Sequence, residues 1–275
     1  MNLLNKNVMI SGGSSGIGFA LAKEFATLGA NITILARRKE LLEIALLDIR
    51  KSAISPDQQF KWISADVSNF DELKRVLSAD KTSYDILINS AGIAYPGKFV
   101  DMDPAIFKNV IDINYLGTVY LTKMILPKMI EKKSGYIVNI SSIAALGGIY
   151  GHTAYAPSKY AVRGFSRCLR SELKSYGIDV SVVLPQDTDT PQLAFDQSLS
   201  PEITKKINHL IENIFGSASS VSAEKAADYI ISGMRKKKFT ILFGIEGKIG
   251  ALISPLLDRL FYKYAVYLSK KELTK

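Results

Sequence analysis

Apolar residues fall along this chain in two alternating rhythms. Short β-branched runs, Val8–Ser11, Asn31–Ala36, Phe60–Ser64, Tyr84–Ile88, Gly135–Ile140 and Ile178–Leu184, predict strands buried on both faces, as a parallel sheet requires. Between them, apolar positions three and four apart predict helices over Lys39–Lys51, Asn69–Leu77, Pro104–Lys132 and Tyr155–Tyr176. Such alternation predicts an α/β fold: a single doubly wound Rossmann-type domain with a parallel sheet and helices on both faces. Ligands of these sheets bind beyond the carboxyl ends of the strands, so the residue after each strand is where chemistry is expected.

The first strand runs into Gly12-Gly13-Ser14-Ser15-Gly16-Ile17-Gly18 and then a helix with Ile17, Ala20, Leu21, Phe25 and Leu28 in one stripe and Gly29 at its C-cap. A glycine turn at a helix N-terminus suits a phosphate, because the backbone can approach the anion and unpaired N–H groups stabilise it. Three residues separate Gly12 from Gly16, which departs from the common dinucleotide fingerprint, and such turns also arise for steric reasons. Arg37 and Arg38 follow the second strand, where a carboxylate would hold the ribose 2′-OH of NAD. Arginine pairs instead with a 2′-phosphate, which favours NADPH/NADP+ over a surface-pair reading. Asp66 and Val67 are placed to meet the adenine, and Asn89-Ser90-Ala91-Gly92 allows close approach of a ligand to the backbone.

After the fifth strand come Ser141 and Ser142, and further on Tyr155 and Lys159 share one helix face. A phenol titrates near ~10 in water, and an adjacent ammonium is expected to lower that value. In isolation this spacing is an ordinary surface pair; following a hydroxyl-bearing strand end, it points to proton transfer.

Together these motifs resemble the short-chain dehydrogenase/reductase family from Val8 to about Thr190: the glycine turn, the Asn-x-Ala-Gly segment, Asn114, Ser142 and Tyr155-x-x-x-Lys159. Ser11 stands where that family usually has Thr, and Ser90 replaces a frequent second Asn. The resemblance implies an NADP(H)-dependent oxidoreductase acting on CH–OH/C=O groups. Tyr155 would protonate the carbonyl oxygen, Ser142 would hydrogen-bond it, Lys159 would tune Tyr155 and hold the nicotinamide ribose, and Asn114 would hold a water for proton resupply. It also assigns Gly12, Ser14, Ser15, Gly16, Ile17, Gly18, Pro185 and Thr188 to the cofactor. The segment Pro185-Gln186-Asp187-Thr188-Asp189-Thr190-Pro191 is similar to that of the 3-ketodihydrosphingosine reductases within the family, as is the Gly233–Gly250 region. That similarity implies NADPH-dependent reduction of the ketone of 3-ketosphinganine to sphinganine. The alternatives are another hydrophobic carbonyl (a steroid, a retinoid or a 3-oxoacyl thioester) or a catalytically idle cofactor binder, which the intact Asn114, Ser142, Tyr155 and Lys159 set disfavours.

Beyond Pro191, in the lid region 190–220, Leu199, Ile203, Ile207, Leu210, Ile211, Ile214 and Phe215 form an apolar stripe, expected mainly to pack on the sheet and in part to face an aliphatic substrate. The chain carries a net charge of +9, and ten cations against three carboxylates from Arg235 onward supply +7 of it. The remainder is close to neutral, which argues against nucleic-acid binding. Within the expected tail 246–275, appended to a catalytic domain 1–245, Ile253, Leu256, Leu257, Leu260, Phe261, Tyr264 and Leu268 share a helical face, and Asp258, Arg259, Tyr262 and Lys263 lie on another. Such a helix suits a membrane interface, with docking on the protein as the competing explanation. The lone Cys168, expected to be a small buried residue, and the absence of a signal-peptide pattern point to a cytoplasmic setting, at a membrane surface if the tail binds one. His152, His209 and Trp62 read as surface or packing residues, no metal-ligand cluster stands out, and the long helices are those through which the family forms homodimers or homotetramers.

Overall fold

The computed structural model describes residues 2–215, 220–244, 252, 259–260 and 262–271. Seven parallel strands form one sheet in the order β3-β2-β1-β4-β5-β6-β9. They are β1 (Asn7–Ser11), β2 (Asn31–Ala36), β3 (Phe60–Ser64), β4 (Ile86–Asn89), β5 (Gly135–Ile140), β6 (Ile178–Leu184) and β9 (Thr240–Leu242). The order reverses between β1 and β4, which opens the crevice where ligands of such sheets bind.

Strand side chains alternate between two separate cores. Val8, Ile10, Ile32, Ile34 and Ile88 pack with α1 (Gly16–Thr27), α2 (Lys39–Arg50) and α9 (Ala223–Arg235). Met9, Leu35, Leu87 and Ile137 face the other way, toward α3 (Phe70–Ser78), α5 (Gly117–Glu131) and α6 (Tyr155–Leu173). Both faces being covered is why these strands read as continuous apolar runs. The end of α1 lies where the sequence puts it: Gly29 adopts φ +81° and its N–H closes on Ala26 O at 3.0 Å.

Four features differ from the sequence reading. The expected helix Pro104–Lys132 is two helices, α4 (Pro104–Ile111) and α5, joined by a π-helical turn over Asp112–Leu116 that carries Asn114. Periodicity alone cannot register one extra residue in a turn. β9 was not anticipated, because its three residues lie inside the basic stretch; there Lys237 pairs with Asp179 at 2.8 Å, so part of that charge is structural. Two short strands, β7 (Thr188–Asp189) and β8 (Val221–Ser222), form a second small parallel pair. Cys168, finally, is exposed on α6.

The lid consists of α7 (Pro191–Leu199) and α8 (Glu202–Phe215). Of its apolar stripe, the side chains of Leu199, Ile203 and Ile207 are described. Ile203 and Ile207 are buried in a separate cluster with Tyr150 and with Tyr264, Ala265 and Leu268 of the helical stretch 262–271. Leu199 is exposed, and the side chains of Leu210, Ile211, Ile214 and Phe215 lie outside the described residues, as do Ile253, Leu256, Leu257, Asp258 and Phe261. The C-terminal helix is therefore docked in part on the lid, while Arg259, Leu260, Tyr262 and Lys263 are exposed.

Candidate active site

The glycine turn is shaped for an anion. Gly12 (φ +69°) and Gly16 (φ +55°) occupy the left-handed region, and a Cβ on Gly12 would stand 2.9 Å from Ala91 N. At Gly18 it would reach the Gly12 carbonyl oxygen at 2.4 Å, so strand and helix can meet this closely only with glycine there. Ser15 caps α1 in extended conformation but its side chain accepts no hydrogen bond from the first turn, which carries no acid. That terminus keeps its N–H groups for a ligand, and Ser14 and Ile17 flank it, both partly exposed. Across the crevice the Ser11 hydroxyl accepts from the Ser90 and Ala91 N–H groups, each at 3.2 Å, locking the ends of β1 and β4 together.

The adenine side is more open. Arg37 and Arg38 are exposed, and Arg37 Nη1 lies 3.7 Å from Asp66 Oδ2. Asp66 Oδ1 accepts from the Ser68 N–H and hydroxyl at 2.9 and 2.7 Å. Val67 is buried with its side chain against Gly117. The Asn89 side chain is also turned inward, donating to Thr122 Oγ1 at 3.1 Å and Asn139 Oδ1 at 2.8 Å; it braces β4 against β5. Pro185 is buried and its carbonyl accepts from the Ile143 N–H at 3.0 Å, while Thr188 Oγ1 donates to the Gln186 carbonyl at 3.0 Å.

The four residues singled out for chemistry converge at the carboxyl ends of β4 and β5. Ser142 and Tyr155 are hydrogen-bonded through their side chains. Lys159 Nζ lies 5.6 Å from the Tyr155 ring centroid and donates to the Ile140 carbonyl at 3.1 Å. A Cβ on Gly92 would come within 3.2 Å of both Lys159 Nζ and Asn114 Oδ1, so the absence of a side chain there keeps the floor open. Asn114, placed by the π turn, accepts from the Ile93 N–H at 2.8 Å and donates to the Ile93 carbonyl and Ser158 Oγ, both at 2.9 Å. It ties the strand-end loop to α6.

One electrostatic expectation is overturned. Burial pushes the Tyr155 phenol above its ordinary value; the hydrogen bond with Ser142 opposes that shift, and the carboxylates of Asp196 and Asp187 add to it. Lys159, with its Nζ 5.6 Å from the ring centroid, does not reverse the balance, and burial brings its own ammonium down to about 8. Each group is held toward its neutral form by the same loss of water.

A second polar pair borders Tyr155 and was not anticipated. His152, only 6 % exposed, stands edge-on to Tyr155 with ring centroids 6.1 Å apart. Its Nε2 lies 3.4 Å from Asp196 Oδ2 on α7. The two residues are far apart in sequence, so no local pattern could join them. The one available signal was a histidine three positions before the tyrosine. Tyr95 and Phe195 meet edge-on at 6.2 Å above the same region.

A nucleotide-ready glycine turn, a hydrogen-bonded Ser–Tyr pair and a neighbouring lysine on one doubly wound sheet define a nicotinamide-dependent oxidoreductase. The short-chain dehydrogenase family model matches residues 6–198, and the chain belongs to that family. It acts on CH–OH/C=O groups with a nicotinamide cofactor. It is 36% identical to the 3-dehydrosphinganine reductase of Danio rerio, over 90% of this chain and 74% of that protein. It is 33% identical to the 3-ketodihydrosphingosine reductase of Dictyostelium discoideum, over 95% and 81%. Dehydrogenase/reductase SDR family member 7B of Rattus norvegicus is 32% identical over 98% and 83%. Among solved structures, levodione reductase superposes with a TM-score of 0.77 at 26% identity, over 86% of this chain and 95% of that one.

Proposed function

We propose that the protein reduces the ketone of 3-ketosphinganine to sphinganine with NADPH. The observation that carries the reduction is the hydrogen-bonded Ser142–Tyr155 pair with Lys159 Nζ 5.6 Å from the Tyr155 ring, which sets a proton donor and a second hydrogen-bonding hydroxyl at one place beyond the strand ends. The substrate follows from the relatives named for this reaction, which align over most of the chain.

The nicotinamide, when bound, supplies hydride to the carbonyl carbon. Ser142 hydrogen-bonds the carbonyl oxygen and fixes its position, and Tyr155 gives that oxygen its proton as negative charge develops. Lys159 holds ribose hydroxyls and, when charged, makes the phenol a better donor. Asn114 positions this group and keeps the route for proton resupply open. Gly12, Ser14, Ser15, Gly16, Ile17 and Gly18 would receive the pyrophosphate, Arg37 and Arg38 the 2′-phosphate, Asp66 and Val67 the adenine, and the backbone of Asn89, Ala91 and Gly92 the adjoining ribose. Pro185 and Thr188 line the nicotinamide side. Apolar lid residues take the alkyl chain.

The exposed Tyr262 and Lys263 face of the C-terminal helix supports contact with a membrane surface, and α5 and α6 are the faces for a homodimer or homotetramer, to be read by sedimentation velocity. No helix among the described residues is long and apolar enough to cross a membrane. The test of the activity is loss of NADPH absorbance with detergent-dispersed 3-ketosphinganine, set beside a panel of steroid, retinoid and 3-oxoacyl ketones. Preference for one of those panel ketones would overturn the substrate.

A further inference from the structure

Helix α7 faces solvent at most of its positions: Phe195 and Leu199 are exposed, and none of its residues is fully buried. Asp196 is turned inward all the same. Its Oδ2 approaches His152 at 3.4 Å, and its Oδ1 is shut off from solvent with no hydrogen-bond partner among the described residues. A carboxylate oxygen left in that state costs stability unless something fills its place, so an orphan beside a reaction centre points to a ligand. The pair also borders the phenol directly, through the His152 ring packed edge-on against Tyr155.

We propose that Asp196, positioned by His152, receives the ammonium group of a 2-amino ketone and so selects substrates with a cationic nitrogen on the carbon next to the carbonyl. This rests on the reading of the site as a sphingoid ketone reductase and names the side chain that would distinguish such a ketone from an uncharged one. A carbonyl oxygen held by Ser142 and Tyr155 brings the neighbouring ammonium toward the His152–Asp196 side. The nitrogen then satisfies Oδ1, and its charge offsets the carboxylates that otherwise disfavour ionisation of the phenol. Binding of the correct substrate would thus also improve the proton donor. A lid helix carrying the recognising group further links recognition to closure over the site.

The test compares kcat/KM for 3-ketosphinganine with that for its deamino analogue, 1-hydroxyoctadecan-3-one, in wild type, Asp196→Asn and Asp196→Glu. Wild type should prefer the amino ketone by roughly 30-fold or more, Asp196→Asn should bring that ratio close to one, and Asp196→Glu should restore much of it. A ratio that Asp196→Asn leaves unchanged overturns the inference while the sphingoid reductase reading stands. A wild type that reduces neither ketone but turns over an uncharged ketone of the panel overturns both. If the physiological ketone is another amino ketone and the Asp196-dependent preference persists, the function is revised and the inference holds. Inhibition by octadecylamine against octadecanol supplies a binding readout: the amine should bind more tightly, and Asp196→Asn should abolish the difference.

Discussion

Around the cofactor side of the crevice, the strand ends are held together by side chains of the central sheet. Ser11 clamps β4, Asn89 clamps β5, and Gly18 lets α1 press on the turn. On the substrate side, α8 and the helical stretch 262–271 rest on one another and on the Tyr150 loop, with Thr204 Oγ1 donating to the Tyr150 carbonyl at 2.9 Å. The first region is a rigid receptacle for a molecule that many enzymes share. The second includes α7, none of whose residues is fully buried and which turns one carboxylate, Asp196, inward to His152.

The largest expected break falls on the rigid region. Tyr155→Phe should lower NADPH oxidation with 3-ketosphinganine by ~10²–10⁴-fold while cofactor fluorescence titration shows nearly unaltered binding. Comparable turnover in the variant would remove Tyr155 from its role.

Next is the cost of burying Lys159. Its folded value of about 8 lies below the ordinary 10.5, so the unfolded chain holds more protons between those limits and stability rises with pH across them. Relative to Lys159→Met, the cofactor-free wild type should be less stable by roughly 3 kcal/mol at pH 7, and the gap should close toward pH 10.5 in denaturant titrations. A gap constant with pH would mean that the ammonium is not desolvated.

Replacing Arg37 and Arg38 together with Ala should weaken NADPH ~10–100-fold and NADH little, measured by competitive titration. Equal losses would show that no 2′-phosphate is read there. The smallest effect is expected at the far end of the substrate side. Removing residues 253–275 uncovers Ile203 and Ile207, and should raise the KM for the lipid ketone by roughly two- to tenfold with NADPH affinity unchanged. The same truncation should reduce co-sedimentation with anionic liposomes; binding equal to full length would place the membrane contact elsewhere.

Sequence alone carried the cofactor half. Strand boundaries such as Asn31–Ala36 and Ile178–Leu184 were legible because both faces of a parallel strand are apolar, and the glycines because a tight turn into a helix tolerates little else. Tyr155, Lys159 and Ser142 were legible as local motifs at or after a strand end, while Asn114 stood out only through the family resemblance. Tertiary structure decided what depends on distance through space. It set the balance of burial against charge that leaves the Tyr155 phenol raised rather than lowered, and the extra residue that turns Asn114 toward Ile93 and Ser158. It joined Ile207 to Leu268, and it brought Asp196 to His152 across 44 positions of chain. Desolvation and through-space pairing have no period along a sequence, so they become visible only once the chain has closed on itself.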